Sequence, residues 1–557
     1  MKKSIKLIII TAFLIFNCTN YFAQEKKFRE ISDIGPQTET IELGKYSLIY
    51  YISAKLGSDE EGDGSKDSPY ANIDYALKKV AINSEKNVVA LFIAEGTYAG
   101  RTIEMKSYVD MYGGFSPENW KRDIYKFSTF LDGQKNRRVL IGASNARIDG
   151  LTITNGLSRT HGGGILCDDT SPTISNCFIT NNYVLEPEDF NYTRIHQQGH
   201  HGGGIACRYN AVPVIRNNIF YGNETSIGNG AAISFYGWLR MEGAPDRNIV
   251  DNFMQGGWTP VVKDNVFIHN VSGINDTGRT RSSNGAAISC SSEARPVIEN
   301  NVVVCNQAKG RSDAGGIYSE NFSYPVINGN WILGNICDDD GGGIYTNHTG
   351  HAIITNNFIA GNWTIGNGAG GVRISKEARA SISDNIIVQN QTGGGVHSVD
   401  GYIELKNNII MDNKGSASIR YTNLFSYFQP SIIENNIVRD NEGVIVVSTA
   451  YNGQVVIQNN NISKREYPEG NYDQAVQLGD GEIVGEIVSA KFNCKTYQTM
   501  IETDKLREEE LIGRVIRVGD FWSVITKVEK KKIFVWGDVN RRSSDKSSFM
   551  IISDYKK

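Results

Sequence analysis

The stretch PVIENNVVVCNQAKGRSDAGGIYSENFSYPVINGNWILGNICDDDGGGIY, residues 296–345, carries one phrase twice. Each half opens on an apolar residue, a polar residue, Asn or Gly, Asn and an apolar residue: IENNV at 298–302, INGNW at 327–331. Each reaches a further Asn five residues on (Asn306, Asn335) and closes on small residues before Ile: DAGGI at 313–317, DGGGI at 340–344. A unit of 29 residues is too short to bury a core alone. It is the right size for one coil of a stacked solenoid.

Reading outward, the Asn phrase recurs as IRNNI (215–219), VKDNV (262–266), ITNNF (354–358), ISDNI (382–386), LKNNI (405–409) and IENNI (433–437). ISNCF (174–178) and IQNNN (457–461) are variants. The second polar position forms a column from Cys177 through Asn218, Asn265, Asn301, Asn330, Asn357, Asn385, Asn408 and Asn436 to Asn460. Its spacings are 41, 47, 36, 29, 27, 28, 23, 28 and 24 residues. The later values suit coils of three short strands with tight turns. Asn tolerates a left-handed backbone and can sit at the corners, where stacked amides would bond along the axis. The alternating Ile and Val positions point inward. A second set (HGGGI at 161–165 and 201–205, NGAAI at 229–233 and 284–288, GAGGV at 368–372, TGGGV at 392–396) permits close backbone approach and positive φ.

Upstream, turn signals recur about every 20 residues. Ser68-Pro69 opens a predicted helix with apolar Ile73, Ala76, Leu77 and Val80, fit to cap the open end of the solenoid. The Asn pattern fades near 465. The tail alternates apolar and polar residues around Gly-Asp turns, as a small antiparallel β unit would, either capping the C-terminal end or forming a separate module. The expected organisation is a signal peptide at 1–23, a linker at 24–47, the solenoid at 48–465 and a small β domain at 466–557. The fold class is all-β.

The first residues, MKKSIKLIIITAFLIFNCTNYFAQ, have a basic start, an apolar run from Leu7 to Phe16 and a cleavage-like Tyr21-Phe22-Ala23. That run is too short for a stable span, no later segment could cross a membrane, and the expected location is secreted, periplasmic or cell-surface. Lipid anchoring at Cys18 is the alternative, although Asn17 stands where a small residue is preferred. The net charge of −4, more acidic once the leader's three lysines are gone, argues against nucleic acid as partner. The eight cysteines lack CxxC pairing; Cys167, Cys207 and Cys290 share one repeat position, read as an inward stack of small thiols rather than a metal site.

The DGLTITNG, GGGI and Asn-pair phrases, with YISAKLGSDEEGDGSKDSPYANIDYAL near the start, resemble the pectate-lyase-like superfamily of right-handed parallel β-helix proteins over roughly residues 48–465. The resemblance implies a right-handed parallel β-helix solenoid with an N-terminal helical cap. It does not select an activity, because polysaccharide lyases, hydrolases, epimerases, tailspikes and adhesins share the fold.

Function is expected where the repeat is stretched. The insertions at 183–200, 237–260 and 271–283 carry Arg194, His196, Trp238, Arg240, Trp258, Arg279 and Arg281, side chains suited to stacking on sugars and pairing with their anionic groups. His161 and His201 precede two of the glycine triplets, in a column continued by Asn229, Asn284, Asp313 and Asp340. It reads either as a turn position or as a polar stripe holding an acid or base. Strand alternation puts Asp168, Arg208, Tyr236, Ser291, Glu320 and Asn347 in an outward column. A lyase must neutralise a uronate carboxylate, take the neighbouring proton and protonate the leaving oxygen. His201, Arg208, Tyr209 and His161 are the candidate catalytic groups; Tyr236 joins the substrate-binding set. Asp168 with Asp169 could hold Ca²⁺, and Asp338-Asp339-Asp340 is either a second such site or a solvated turn. A hydrolase needs a carboxylate pair, and Glu320 lies four coils, roughly 19 Å, from Asp168, too far to be one. The expected activity is therefore β-elimination on an anionic polysaccharide, the alternatives being a non-catalytic glycan-binding or adhesion protein and a glycoside hydrolase.

Overall fold

The Asn and Gly corners fold the chain into a right-handed parallel β-helix. A computed structural model describes residues 31–186, 201–237, 259–274, 283–366, 368–423, 430–449, 455–463, 470–471, 473, 482–504, 511–543, 547–553 and 555. One coil shows the plan. Val297–Glu299 lies in sheet 1, Val302–Val304 in sheet 2, Gln307–Ala308 in sheet 3 and Ile317–Ser319 in sheet 4. Sheets 1, 2 and 4 stack 14, 13 and 12 strands. Sheet 3 has seven two-residue strands, so the coils carry a fourth short strand beyond the expected three. Register is kept from coil to coil, as in Val302↔Trp331 and Trp331↔Phe358.

The two residues of each Asn pair divide the work. The first takes the left-handed corner: Asn217, Asp264, Asn300 and Asn356 have φ of 53–57°. The second builds the ladder. Asn330 Oδ1 accepts from Asn301 N at 2.8 Å, and Asn330 Nδ2 donates to Asn357 Oδ1 and Ile298 O, both at 2.9 Å. A parallel ladder runs at the next corner through Asn306, Asn335 and Asn362. Each amide satisfies buried backbone groups, which is why the solenoid can bury so much Asn. The interior is a continuous stack of Ile, Val, Leu and Phe in which Cys167, Cys207 and Cys290 lie buried, with Cys167 registered on Cys207.

At the N-terminal end the helix spans Ile73–Lys79, later than Ser68 suggested. The intervening Tyr70 is taken into a bridge with Ile52 instead. Ile73, Ala76, Leu77 and Val80 join the interior and cap it. Residues 31–45, expected as linker, are docked: Ile31 and Ile34 are buried, Asn217 Nδ2 donates to Asp33 O and Arg216 grips Glu39 at 2.6 Å. The tail forms a closed antiparallel barrel of six strands, from Ile483–Asn493 to Ser548–Ile551. It lies along the outer face of sheet 2, where Val515, Trp522, Val524 and Trp536 share a core with Ile219, Val266, Val302, Trp331 and Phe358. Trp522 covers the corner glycines Gly334 and Gly361. Among the described residues no helix is long and apolar enough to cross a membrane.

Candidate functional site

With the barrel on sheet 2, sheet 4 is the sheet whose strands adjoin the insertions in sequence. The segments 187–200 and 275–282 enter its strands, and 238–258 leaves one of them. These segments, with Arg194, His196, Trp238, Arg240, Trp258, Arg279 and Arg281, lie outside the described residues.

In sheet 4 the first and third residues of each strand face the interior, so the second and fourth face outward. The fourth positions bring Asp168, Arg208, Tyr236 and Ser291 into direct register. Arg208 pairs with Asp168 at 3.6 Å, hydrogen-bonds the Tyr209 hydroxyl and lies 4.5 Å from that ring's centre. The residues before the small triplets run alongside. The His161 and His201 rings are 5.6 Å apart, and His201 stacks on Tyr236 at 5.8 Å. His161, His201, Arg208, Tyr209 and Tyr236 thus form one patch across three coils. A cavity of about 50 Å³ opens beside it, lined by Tyr209, Phe235, Tyr236, Glu293 and Arg295 among others.

The column before the triplets is a third ladder. Asn229 N donates to His201 Nδ1 at 2.9 Å, Asn284 N to Asn229 Oδ1, Asp313 N to Asn284 Oδ1 and Asp340 N to Asp313 Oδ1. The left-handed φ expected of this column belongs instead to the residue after it, such as Gly202, Gly230 or Ala314. The bond to Nδ1 fixes the neutral His201 tautomer with its proton on Nε2, making that edge a donor.

Asp168 and Asp169 do not fit a Ca²⁺ site by themselves. Asp168 is engaged by Arg208, and Asp169 Oδ1 accepts from Asn210 N and Nδ2 at 3.1 and 2.9 Å. Calcium takes six to eight oxygens, and among the described residues no group of three or more His, Cys, Asp or Glu side chains converges as a metal site. Asp338 caps Gly310 N and Asp340 pairs with Arg373 at 3.2 Å, so that acidic run is also engaged.

Of three further groups, two were missed in sequence, and one, Asp313 with Asp340, was placed in its column without being read as a carboxylate pair. Arg138, one coil before the patch, donates to Gly162 O, His161 O and Ser158 Oγ and so fixes the first triplet turn. Asp313 and Asp340 are carboxylates on adjacent coils. Burial, then Asp340 and Asp339, raise the Asp313 carboxyl well above its ordinary range, while Arg373 holds Asp340. The third is the second position of the sheet 4 strands. Read straight down it runs Tyr318, Tyr345, Arg373, His397, Arg420, a signal available wherever the small triplets are aligned. Glu320 accepts from the Tyr318 hydroxyl at 2.9 Å.

Buried polar atoms concentrate here. Among the described residues, Asp168 Oδ1, Arg208 Nε, Ser289 Oγ, Arg373 Nε, both His397 ring nitrogens and Arg420 Nε are buried without a hydrogen-bond partner. Such atoms are costly, and their gathering on one face marks it as built for something other than stability.

The family described as "Right handed beta helix region" matches residues 126–332 and 315–482. No curated protein matches the sequence. Among solved structures, the chain is similar to native GH136 lacto-N-biosidase from Eubacterium ramulus (12% identity, 74% of this chain and 68% of that one, TM-score 0.34). It is also similar to a mutant of the periplasmic alginate epimerase AlgG (13% identity, 69% of this chain and 84% of that one, TM-score 0.33).

Proposed function

The chain belongs to the right-handed β-helix family, and from the groups on sheet 4 we propose that it is a secreted protein acting on an acidic polysaccharide by β-elimination. The observation that carries this reading is the convergence of His161, His201, Arg208 and Tyr236 on one outward face across three successive coils. A uronate carboxylate is neutralised by Arg208 and the His201 Nε2–H edge. Asp168 positions that guanidinium. Tyr236 or His161 takes the proton from the carbon beside the carboxylate. The bond to the glycosidic oxygen breaks, a double bond forms in the ring, and the other of the two protonates the leaving oxygen. The leader-like residues 1–23 support the secreted location.

The test is the mature protein on pectin, alginate, ulvan and glycosaminoglycans, with and without Ca²⁺, following absorbance of the unsaturated uronate. No absorbance on any polymer would sink the proposal. A second reading has its own observation, the adjacent-coil pair Asp313 and Asp340, one carboxyl raised and the other held by an arginine. That is the asymmetry hydrolysis of a glycosidic bond uses. Reducing ends released without the chromophore would select it.

A further inference from the structure

The geometry points to an anion-binding subsite on the outer face of sheet 4, formed by Arg373, His397 and Arg420, that takes a carboxylate or sulfate group of a glycan chain. The inference deepens the proposed function and rests on it for the identity of the polymer.

The three residues occupy successive coils in strict register, Arg373 on His397 and His397 on Arg420. Strands in a sheet are about 4.8 Å apart, so the two guanidinium-bearing positions are separated by roughly 10 Å with the imidazole between them. Two like charges stacked so closely need compensation. Arg373 has Asp340, whereas the side chain of Arg420 bonds the neutral Ser416 Oγ at 2.9 Å. The column therefore carries an excess positive charge.

The second observation is independent of charge. Among the described residues, His397 is 1% exposed, with the Ala417 backbone beside its ring and no hydrogen bond of ordinary geometry to either nitrogen, and Nε of neither flanking arginine has a partner. A purely structural stack would be expected to satisfy these atoms, as the Asn ladders do a few residues away. Burial, then Arg373 and Arg420, push the His397 imidazole down to about 3, so it is neutral and presents one N–H and one acceptor. A guanidinium fork, an imidazole N–H and a second fork in line are complementary to an oxyanion. Small or uncharged residues flank the column at the fourth strand positions: Ser375, Val399 and Thr422. The subsite lies six coils, roughly 29 Å, from His201 along the same face. A chain engaged at both places would run parallel to the solenoid axis.

The test is equilibrium binding by calorimetry to the full mature chain, which needs no turnover. Polygalacturonate supplies the carboxylate arm, dextran sulfate the sulfate arm and dextran the uncharged control. Arg420→Gln should weaken binding of the preferred anionic polymer about ten-fold or more, the worth of a charge-assisted hydrogen bond. Arg420→Lys should fall between the two. Arg379→Gln, an exposed arginine on sheet 1, should bind as the parent does. Circular dichroism confirms each fold, and His397→Gln replaces Arg420→Gln if the latter fails to fold. The inference is overturned if Arg420→Gln, or His397→Gln in its place, binds as the parent does, if Arg379→Gln loses as much as Arg420→Gln, if dextran binds as well as the preferred anionic polymer, or if neither anionic polymer binds. Binding that depends on Arg420 without any unsaturated product would uphold the subsite and remove the β-elimination reading.

Discussion

Replacing Asn330 by Ala tests the ladder on which the solenoid rests. Asn330 is fully buried. Its Oδ1 accepts from Asn301 N and Nδ2, and its Nδ2 donates to Ile298 O, Asn328 O and Asn357 Oδ1. Three of the partners keep other bonds: Asn301 Nδ2 donates to Val262 O, Asn328 O accepts from Asn300 N and Asn357 Oδ1 accepts from Asn330 N. The Asn301 N–H loses its side-chain acceptor, and the Ile298 carbonyl loses its side-chain donor. An orphaned buried group costs about 1–3 kcal/mol and each ordinary bond about 1 kcal/mol, so the substitution should cost roughly 3–5 kcal/mol. Asn328 is the internal control. It lies two residues away, points outward and bonds Glu299 and Asn356 at a partly exposed surface. Asn328→Ala should stay within about 1 kcal/mol of the parent. Repeat arrays need not unfold in one step, so the assay is hydrogen exchange on peptides from 296–345 rather than a global melt. Exchange in Asn330→Ala should accelerate by roughly two to three and a half decades, at 1.4 kcal/mol per decade. Equal exchange in the two variants would refute the assignment of stability to the amide ladder.

Tyr236→Phe should lower kcat about 10²-fold or more with little change in KM, measured on whichever polymer yields the unsaturated product; an unchanged kcat would take Tyr236 out of the proton transfer. Asp313→Asn should gain stability over the parent as pH rises. The folded Asp313 keeps a proton that the unfolded chain releases near 3.8, so the parent's contribution is present below 3.8 and lost as pH climbs through the folded value. Asn at 313 still offers an acceptor to Asp340 N–H, as Asn284 does to Asp313. Denaturation curves with equal pH slopes would contradict this. His269, buried beside the barrel residue Phe521, is pushed down to about 3 by burial, then by Arg542 and Arg541. Its contribution is present above 6.5 and lost as pH falls toward 3, about 2 kcal/mol by pH 5; His269→Gln should flatten that acid limb. Gly361→Val should loosen the barrel, because a Cβ there meets the Trp522 ring and φ is +64°; a red-shifted Trp emission reads the loosening.

The coil plan was legible because corner chemistry repeats. Asn330 and Asn335 cannot be exchanged for other polar residues without losing the amide ladder, so their spacing survives in the sequence. The sheet 4 patch was legible through alternation, which sets Asp168, Arg208 and Tyr236 on one face. Two features were present but misread. Sheet 1 strands alternate, as in Val297-Ile298-Glu299, whereas sheet 2 strands run VVV, WIL and VFI without a polar break. An unbroken apolar strand is buried on both faces, so the docked barrel was foreshadowed there. The acid pair was sought in the column of Glu320, although the triplet column held Asp313 and Asp340 on adjacent coils. The docking of residues 31–45 was not legible, because its anchors, such as Arg216 to Glu39, join positions 177 apart that no local pattern couples.

The barrel's position changes what kind of object the solenoid is. A bare stack of coils is a one-dimensional chain, in which the last coil can peel away while the rest stay intact. Here the final segment returns and lies across sheet 2, joining Phe178 near one end to Ile409 near the other through a single apolar seam. Peeling the terminal coils must therefore strain or break a contact with coils laid down some 230 residues earlier. The filament becomes a closed circuit, its ends exchanging independence for shared fate. Cooperativity that nearest neighbours alone would not supply is drawn from a module that contributes no coil.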